Sequence, residues 1–257
     1  MAKNYTLEVC VDSIESALAA QEGGACRIEL CTNLYEGGTT PSAAVIELAR
    51  KYLDLKIHVM IRPRGGDFLY SELEFEIMKR EIEVAKKLKA DGVVFGILNE
   101  DGTVDISRTK ELVELAKPMT VTFHRAFDMT RDPYKAMEDV IQTGANIILT
   151  SGMMNEAPTG ALLITTLIER AKGRIRIMPG AGINRDNIKD MINITGASEY
   201  HLTGASIIKS AMKYRNPKVF MGGIPEIPEY ERSVTDVKRI KSIISTLREA
   251  ELENNPS

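Results

Sequence analysis

Eight short apolar or β-branched runs alternate along the chain with segments of helical pattern, and this alternation restricts the fold more than any other feature. Strands are expected over residues 5–11, 26–30, 56–61, 92–97, 119–124, 146–150, 174–178 and 198–202. Strand, helix, strand in this rhythm is the signature of parallel βαβ units. Helix starts are marked chemically: Asp12 with Glu15 and Ser71 with Glu74 have capping-box spacing, and Thr40-Pro41 and Asp132-Pro133 place a cap before a first-turn proline. Gly24, Gly92, Gly144 and Gly196 each precede an even-numbered strand, where a left-handed residue lets the chain reverse. The steps from Gly92 to Gly144 and from Gly144 to Gly196 are both 52 residues, as expected of repeated quarter-barrels. A doubly wound open sheet is the alternative, but the first strand runs into Asp12-Ser13-Ile14-Glu15 rather than a glycine-rich dinucleotide turn. Eight units favour closure, so the expectation is an α/β fold, a (β/α)8 TIM barrel spanning residues 1–257 as a single domain. A long connection, 203–232, would separate the eighth strand from a final helix at about 233–250, with a polar tail over 251–257.

A chain of 257 residues is long enough to bury such a core. No run of about 18 apolar residues is present, which argues against a membrane span. The start, Met1-Ala2-Lys3-Asn4, leads straight into the first strand without the pattern of a secretory signal. The expected location is therefore cytoplasmic. A net charge of −3 with mixed signs offers no basic face for a nucleic acid. Three cysteines, an odd number, make no disulfide framework in a reducing compartment.

In a barrel of this type the chemistry lies at the C-terminal ends of the strands. Side chains alternate faces along a strand, so Ile28 and Leu30 facing the helix layer leave Glu29 and Cys31 facing the axis. The same parity pairs Glu8 with Cys10, His58 with Arg62, and Thr122 with His124; Asp128 follows in the next loop. Glu8, Glu29, His58, Arg62 and His124 inside a closed barrel would be costly unless paired with one another or with a ligand. A buried network that only fixes register is the plain alternative. His201, at the end of the eighth strand, reads as a satisfied core histidine.

Three further constellations carry chemistry. The loop Arg62-Pro63-Arg64-Gly65-Gly66-Asp67 suits bidentate capture of a carboxylate or phosphate, or is a surface turn with an Arg–Asp pair. The turns Gly180-Ala181-Gly182 and Thr203-Gly204-Ala205-Ser206 follow strands seven and eight. Barrels often bind phosphate at those positions through backbone N–H groups at a short helix N-terminus, and glycines there also serve simple turn geometry. Cys10 and Cys31 end neighbouring strands, which lie about 5 Å apart, so the two thiols are candidates to share a soft ion such as Cu(I); single buried cysteines are otherwise small apolar residues. Cys26 sits at the opposite end of its strand and receives no role.

The segments Leu7-Glu8-Val9-Cys10-Val11, Arg27-Ile28-Glu29-Leu30-Cys31, Met60-Ile61-Arg62-Pro63-Arg64-Gly65-Gly66-Asp67-Phe68 and Thr122-Phe123-His124-Arg125-Ala126-Phe127-Asp128 together resemble the CutC family, often named copper homeostasis proteins. Gly37-Gly38-Thr39-Thr40-Pro41-Ser42, Leu149-Thr150-Ser151-Gly152 and Pro179-Gly180-Ala181-Gly182-Ile183 extend the likeness over most of the chain. The resemblance implies a (β/α)8 barrel, a copper-linked cytoplasmic role, Cys10 and Cys31 as Cu(I) ligands, and a homodimer.

Two functions compete. The first is a Cu(I)-binding homeostasis protein that requires both cysteines. The second is an enzyme acting on a small phosphorylated or carboxylated metabolite. There, Arg62, Arg64 and the two glycine turns would grip the anion, while Glu8, Glu29, His124 and Asp128 supplied acid and base. A purely structural barrel leaves a polar interior unexplained, and no organic cofactor is evident.

Overall fold

The computed structural model describes residues 5–221 and 227–254. Eight parallel strands form one sheet: β1 (Thr6–Val11), β2 (Arg27–Leu30), β3 (Lys56–Met60), β4 (Gly92–Phe95), β5 (Thr120–Phe123), β6 (Ile147–Thr150), β7 (Arg176–Pro179) and β8 (Glu199–Leu202). Each pairs with its neighbour in sequence as far as β7, and β1 pairs with β8. A parallel bridge between Gly180 and His201 closes the remaining seam. Helices α1 (Ile14–Gly23), α2 (Ala43–Tyr52), α3 (Glu72–Lys87), α4 (Ile106–Ala116), α5 (Pro133–Thr143), α6 (Ala161–Ala171), α7 (Ile188–Thr195) and α8 (Val237–Asn254) alternate with the strands. The fold is the expected (β/α)8 barrel.

Strand parity divides the buried residues into two sets. Val9, Ile28, Leu30, Val59, Val93 and Phe95 belong to the large apolar layer between sheet and helices. Burying each such side chain contributes roughly 1.5–3 kcal/mol. The alternate residues enter the barrel, where two small apolar clusters stand apart from that layer. Cys10, Cys31, Met60 and Val94 make one, and Ile147, Leu149 and Met178 the other.

Helix capping follows the chain chemistry with two shifts. Ser71 and Glu74 form the reciprocal capping box of α3, and Asp132 caps α5 ahead of Pro133. Helix α1 is capped by Ser13 rather than Asp12, and α2 by Ser42 rather than Thr40. Thr40 is drawn into tertiary contact instead, donating to Glu81 Oε2 at 2.7 Å and accepting from the Arg62 amide at 2.8 Å. Gly24, Gly144 and Gly196 are left-handed C-caps. Gly92 is not: it opens β4, and the left-handed residue after α3 is Lys89. Gly92 answers to sterics, because a Cβ there would lie 2.4 Å from His58 Cδ2.

The connection expected over 203–232 is partly regular. Strands β9 (Ala205–Lys209) and β10 (Glu231–Thr235) pair antiparallel in a separate two-stranded ribbon. That pairing occupies Ser233 to Thr235, so α8 starts at Val237 behind Asp236, whose carboxylate accepts from the Lys238 and Arg239 amides. The helix runs to Asn254, absorbing much of the expected tail. Residues 1–4, 222–226 and 255–257, which include the Met1–Asn4 start and parts of the connection and tail, lie outside the described residues.

Candidate functional site

A charged network fills one side of the barrel, on β1, β2, β3 and β8. The Arg27 guanidinium donates through Nε to Glu8 Oε2 at 2.5 Å and through Nη2 to Glu199 Oε2 at 2.6 Å. Glu8 Oε1 meets His201 Nδ1 at 2.9 Å, and Glu8 Oε2 lies 3.4 Å from His58 Nδ1. Burial alone would raise the Glu8 carboxyl, but Arg27, His201 and His58 outweigh it and hold the group well below the usual carboxylate range. Burial would likewise discharge His201, yet Glu29, Cys10 and Glu8 hold its pKa well above the ordinary value. His58 goes the other way, pushed by burial down to about 4. A buried ion with each charge matched is tolerable; stripping one partner would leave an expensive orphan.

Next to this network stand the two thiols. Cys10 Sγ and Cys31 Sγ are 3.8 Å apart, and Cys31 Sγ lies 3.4 Å from Glu29 Oε2. Glu29 Oε2 is in turn 3.7 Å from His201 Nε2. The Cys10 thiol is held below its usual value by the hydrogen bond from Cys31, against the effect of burial, and Cys31 is correspondingly raised. Burial pushes the Glu29 carboxyl well up, with the neighbouring Cys10 acting in the same direction. Ligand atoms of Cys10, Glu29 and Cys31 fall within 4.8 Å of one another, as do those of Glu8, Glu29 and His201. Cys26 is exposed and away from both groups.

Cys10, Glu29 and His201 line a cavity of about 580 Å³ at the C-terminal mouth, which His124, Arg125, Asp128 and residues 181–184 also border. His124 is buried and pushed down to about 3 by burial and by the charge of Arg62. Asp128 is saturated: its oxygens accept from Arg125 Nε at 2.8 Å, the Ser151 hydroxyl at 2.8 Å, the Ser151 and Met153 amides and Thr150. It clamps the β5 loop to the β6 loop.

The arginine loop also serves structure. Arg62 is buried and donates to the carbonyls of Glu36, Gly38 and Gly66 at 2.7, 2.9 and 2.8 Å, so both Nη groups are committed to backbone. Arg64 pairs with Glu74 at 2.5 Å and Asp67 at 3.0 Å on the surface. Of the two glycine turns, Gly180-Ala181-Gly182 borders the cavity through Ala181 and Gly182, with Ala181 in a left-handed conformation at φ 76°. The expected helix N-terminus at Thr203-Gly204-Ala205-Ser206 is absent, because the chain runs on into β9 and pairs Ala205 and Ser206 with Thr235 and Val234. Only Thr203 of that group reaches the cavity.

Three participants escaped sequence reasoning. His201 is a member of the network rather than an isolated core residue, because the β1–β8 register sets Glu8 opposite it. Arg27 and Glu199 lie too near the strands' N-terminal ends to attract notice. Parity carried the signal for Arg27, which shares a face with Glu29 and Cys31.

The profile of the CutC family matches residues 5–206. The chain belongs to the CutC family. A CutC family protein of Bacteroides fragilis is 50% identical over 246 residues, covering 95% of this chain and 98% of the relative. The human copper homeostasis protein cutC homolog is 48% identical over 242 residues, covering 94% and 89%. Among solved structures, the CutC of Streptococcus agalactiae, described as a copper homeostasis protein, superposes with a TM-score of 0.74 at 34% identity. It covers 77% of this chain and 98% of its own. The CutC profile ends where the β9–β10 ribbon begins.

Proposed function

We propose that this CutC family chain binds Cu(I) as cargo in the cytoplasm, through Cys10 and Cys31 at the mouth of the barrel. The observation that carries this reading is the 3.8 Å approach of the two sulfurs beside an open cavity. Two thiolates each about 2.3 Å from one ion with three ligands would stand about 4 Å apart, close to the observed separation. Thiolate ligands select soft ions, Cu(I) foremost. A third ligand, an oxygen, is at hand: Glu29 offers one within 4.8 Å of both sulfurs, and its Oε1 is buried without a partner among the described residues. The loop over Cys31 is tight, since a Cβ at Gly38 would lie 3.2 Å from its Sγ, so exchange would proceed from the Cys10 side. Copper homeostasis in the named relatives supports the same reading.

The test is a Cu(I) titration of the reduced protein against a competing chelator, beside the Cys10→Ser, Cys31→Ser double variant. Stoichiometric binding lost in the variant is the expected result. Equal binding by both proteins removes copper from the account. The enzyme reading has one observation in its favour, a cavity of substrate size with His124 on its wall. Against it stand the Nη groups of Arg62, committed to backbone, and the saturated oxygens of Asp128.

A further inference from the structure

The residues at the C-terminal ends of β3 and β5 carry polar atoms without partners among the described residues. His124 Nδ1 accepts the Ala126 amide at 3.2 Å, which places the proton of the neutral ring on Nε2. That Nε2 is buried and without a partner among the described residues, as are Arg62 Nε and Thr122 Oγ1. Native interiors pair nearly all such atoms, so the two on residues that border the cavity, His124 Nε2 and Arg62 Nε, call for an explanation. The imidazole is also fixed in place. Its ring packs on Phe68 with centroids 4.9 Å apart, and a Cβ at Gly96 would come within 2.7 Å of Nδ1, so only glycine admits it there.

Arg125 follows His124 and borders the same cavity. Its Nε and Nη2 serve Asp128, Ser151 and the Met154 carbonyl, while Nη1 has no bond among the described residues. Phe68, Met129 and Leu149 supply apolar lining. The free donors of His124 Nε2, Arg62 Nε and Arg125 Nη1 beside an apolar floor suit an organic anion with an apolar body. Inorganic phosphate would leave that apolar floor uncovered.

We infer that the His124 side of the cavity is a subsite for an organic carboxylate with an apolar body, one oxygen accepting from His124 Nε2–H and the charge met by Arg125. The assignment uses neither Cys10 nor Cys31 and stands apart from the copper reading.

The probe is phenylacetate, titrated calorimetrically into the reduced full-length protein and followed by imidazole ¹⁵N resonances; phenylacetamide and inorganic phosphate are run in parallel. Saturable phenylacetate binding that moves the His124 Nε2 signal is expected, with the dissociation constant at least about tenfold weaker in Arg125→Gln and in His124→Leu. The Cys10→Ser, Cys31→Ser protein should bind phenylacetate as the wild type does, whatever its response to copper. Should His124→Leu fail to fold, the wild-type resonance and the half-buried Arg125→Gln variant still decide. Absence of saturable binding, affinity unchanged in the variants, phosphate binding as tightly as phenylacetate, or loss in the double cysteine variant would each overturn the inference.

Discussion

Arg62 illustrates how a single side chain can look like a ligand grip and work as a brace. Its three carbonyl acceptors belong to two different loops, and one of them, Gly38, lies directly over Cys31. A lysine offers no planar fork, so it cannot reach all three at once. Arg62→Lys is therefore expected to cost about 2–4 kcal/mol in urea unfolding and to speed alkylation of Cys31. Arg64 also donates to three carbonyls, of Gly65, Asp67 and Leu69, but its bonds lie at the surface, where water can replace them, and Arg64→Lys should cost about 1 kcal/mol. Equal losses at the two positions, or an unchanged Cys31 alkylation rate, would contradict the assignment.

At the scale of elements, the repeating glycines split into two kinds that composition does not distinguish. Gly144 ends α5 in the left-handed region, whereas Gly92 opens β4 in extended conformation and yields its space to His58. Gly92→Ala should therefore strain the barrel interior by about 1–3 kcal/mol. Gly173, at φ 74° with nothing within 4 Å of a Cβ, gives the contrast. Gly173→Ala meets only the backbone penalty, about 1 kcal/mol. Replacing His58 with alanine in the same chain should recover part of the Gly92→Ala loss and none of the Gly173→Ala loss. A double-mutant cycle in chemical denaturation measures this, and additivity at Gly92 would show that the imidazole is not the obstacle.

The molecule as a whole is an apolar shell around a polar interior, which ties its stability to pH. The pKa of His124 falls to about 3 in the folded chain, against about 6.5 unfolded. Between those values the unfolded chain holds the extra proton, so stability is lost as pH falls below about 6.5, at up to about 1.4 kcal/mol per pH unit. His58, lowered to about 4, adds the same sign. His201, raised, has the opposite sign: its stabilisation is complete below about 6.5 and is lost as pH climbs through its folded value. Thermal melts between pH 7 and 5 should therefore slope less steeply for His124→Leu than for the wild type. Parallel profiles would mean that His124 is not held neutral.

Local pattern was enough to number the strands, orient their faces and bring Cys10 beside Cys31, because side-chain alternation and cap chemistry act over a few residues. The mouth carboxylates and histidines were legible for the same reason: parity tells which face a residue takes. Partners were not legible. Whether Glu8 meets Arg27 and His201, or Asp128 meets Ser151, depends on register between strands far apart in sequence, and a shift of one residue reverses every face. The backbone bonds of Arg62 and the ribbon after β8 had the same origin, since an arginine or a polar stretch pairs with whatever the folded chain delivers to it. The sequence by itself determined the barrel and its inward residues; the tertiary structure alone decided which of those residues satisfy one another and which remain free for a ligand.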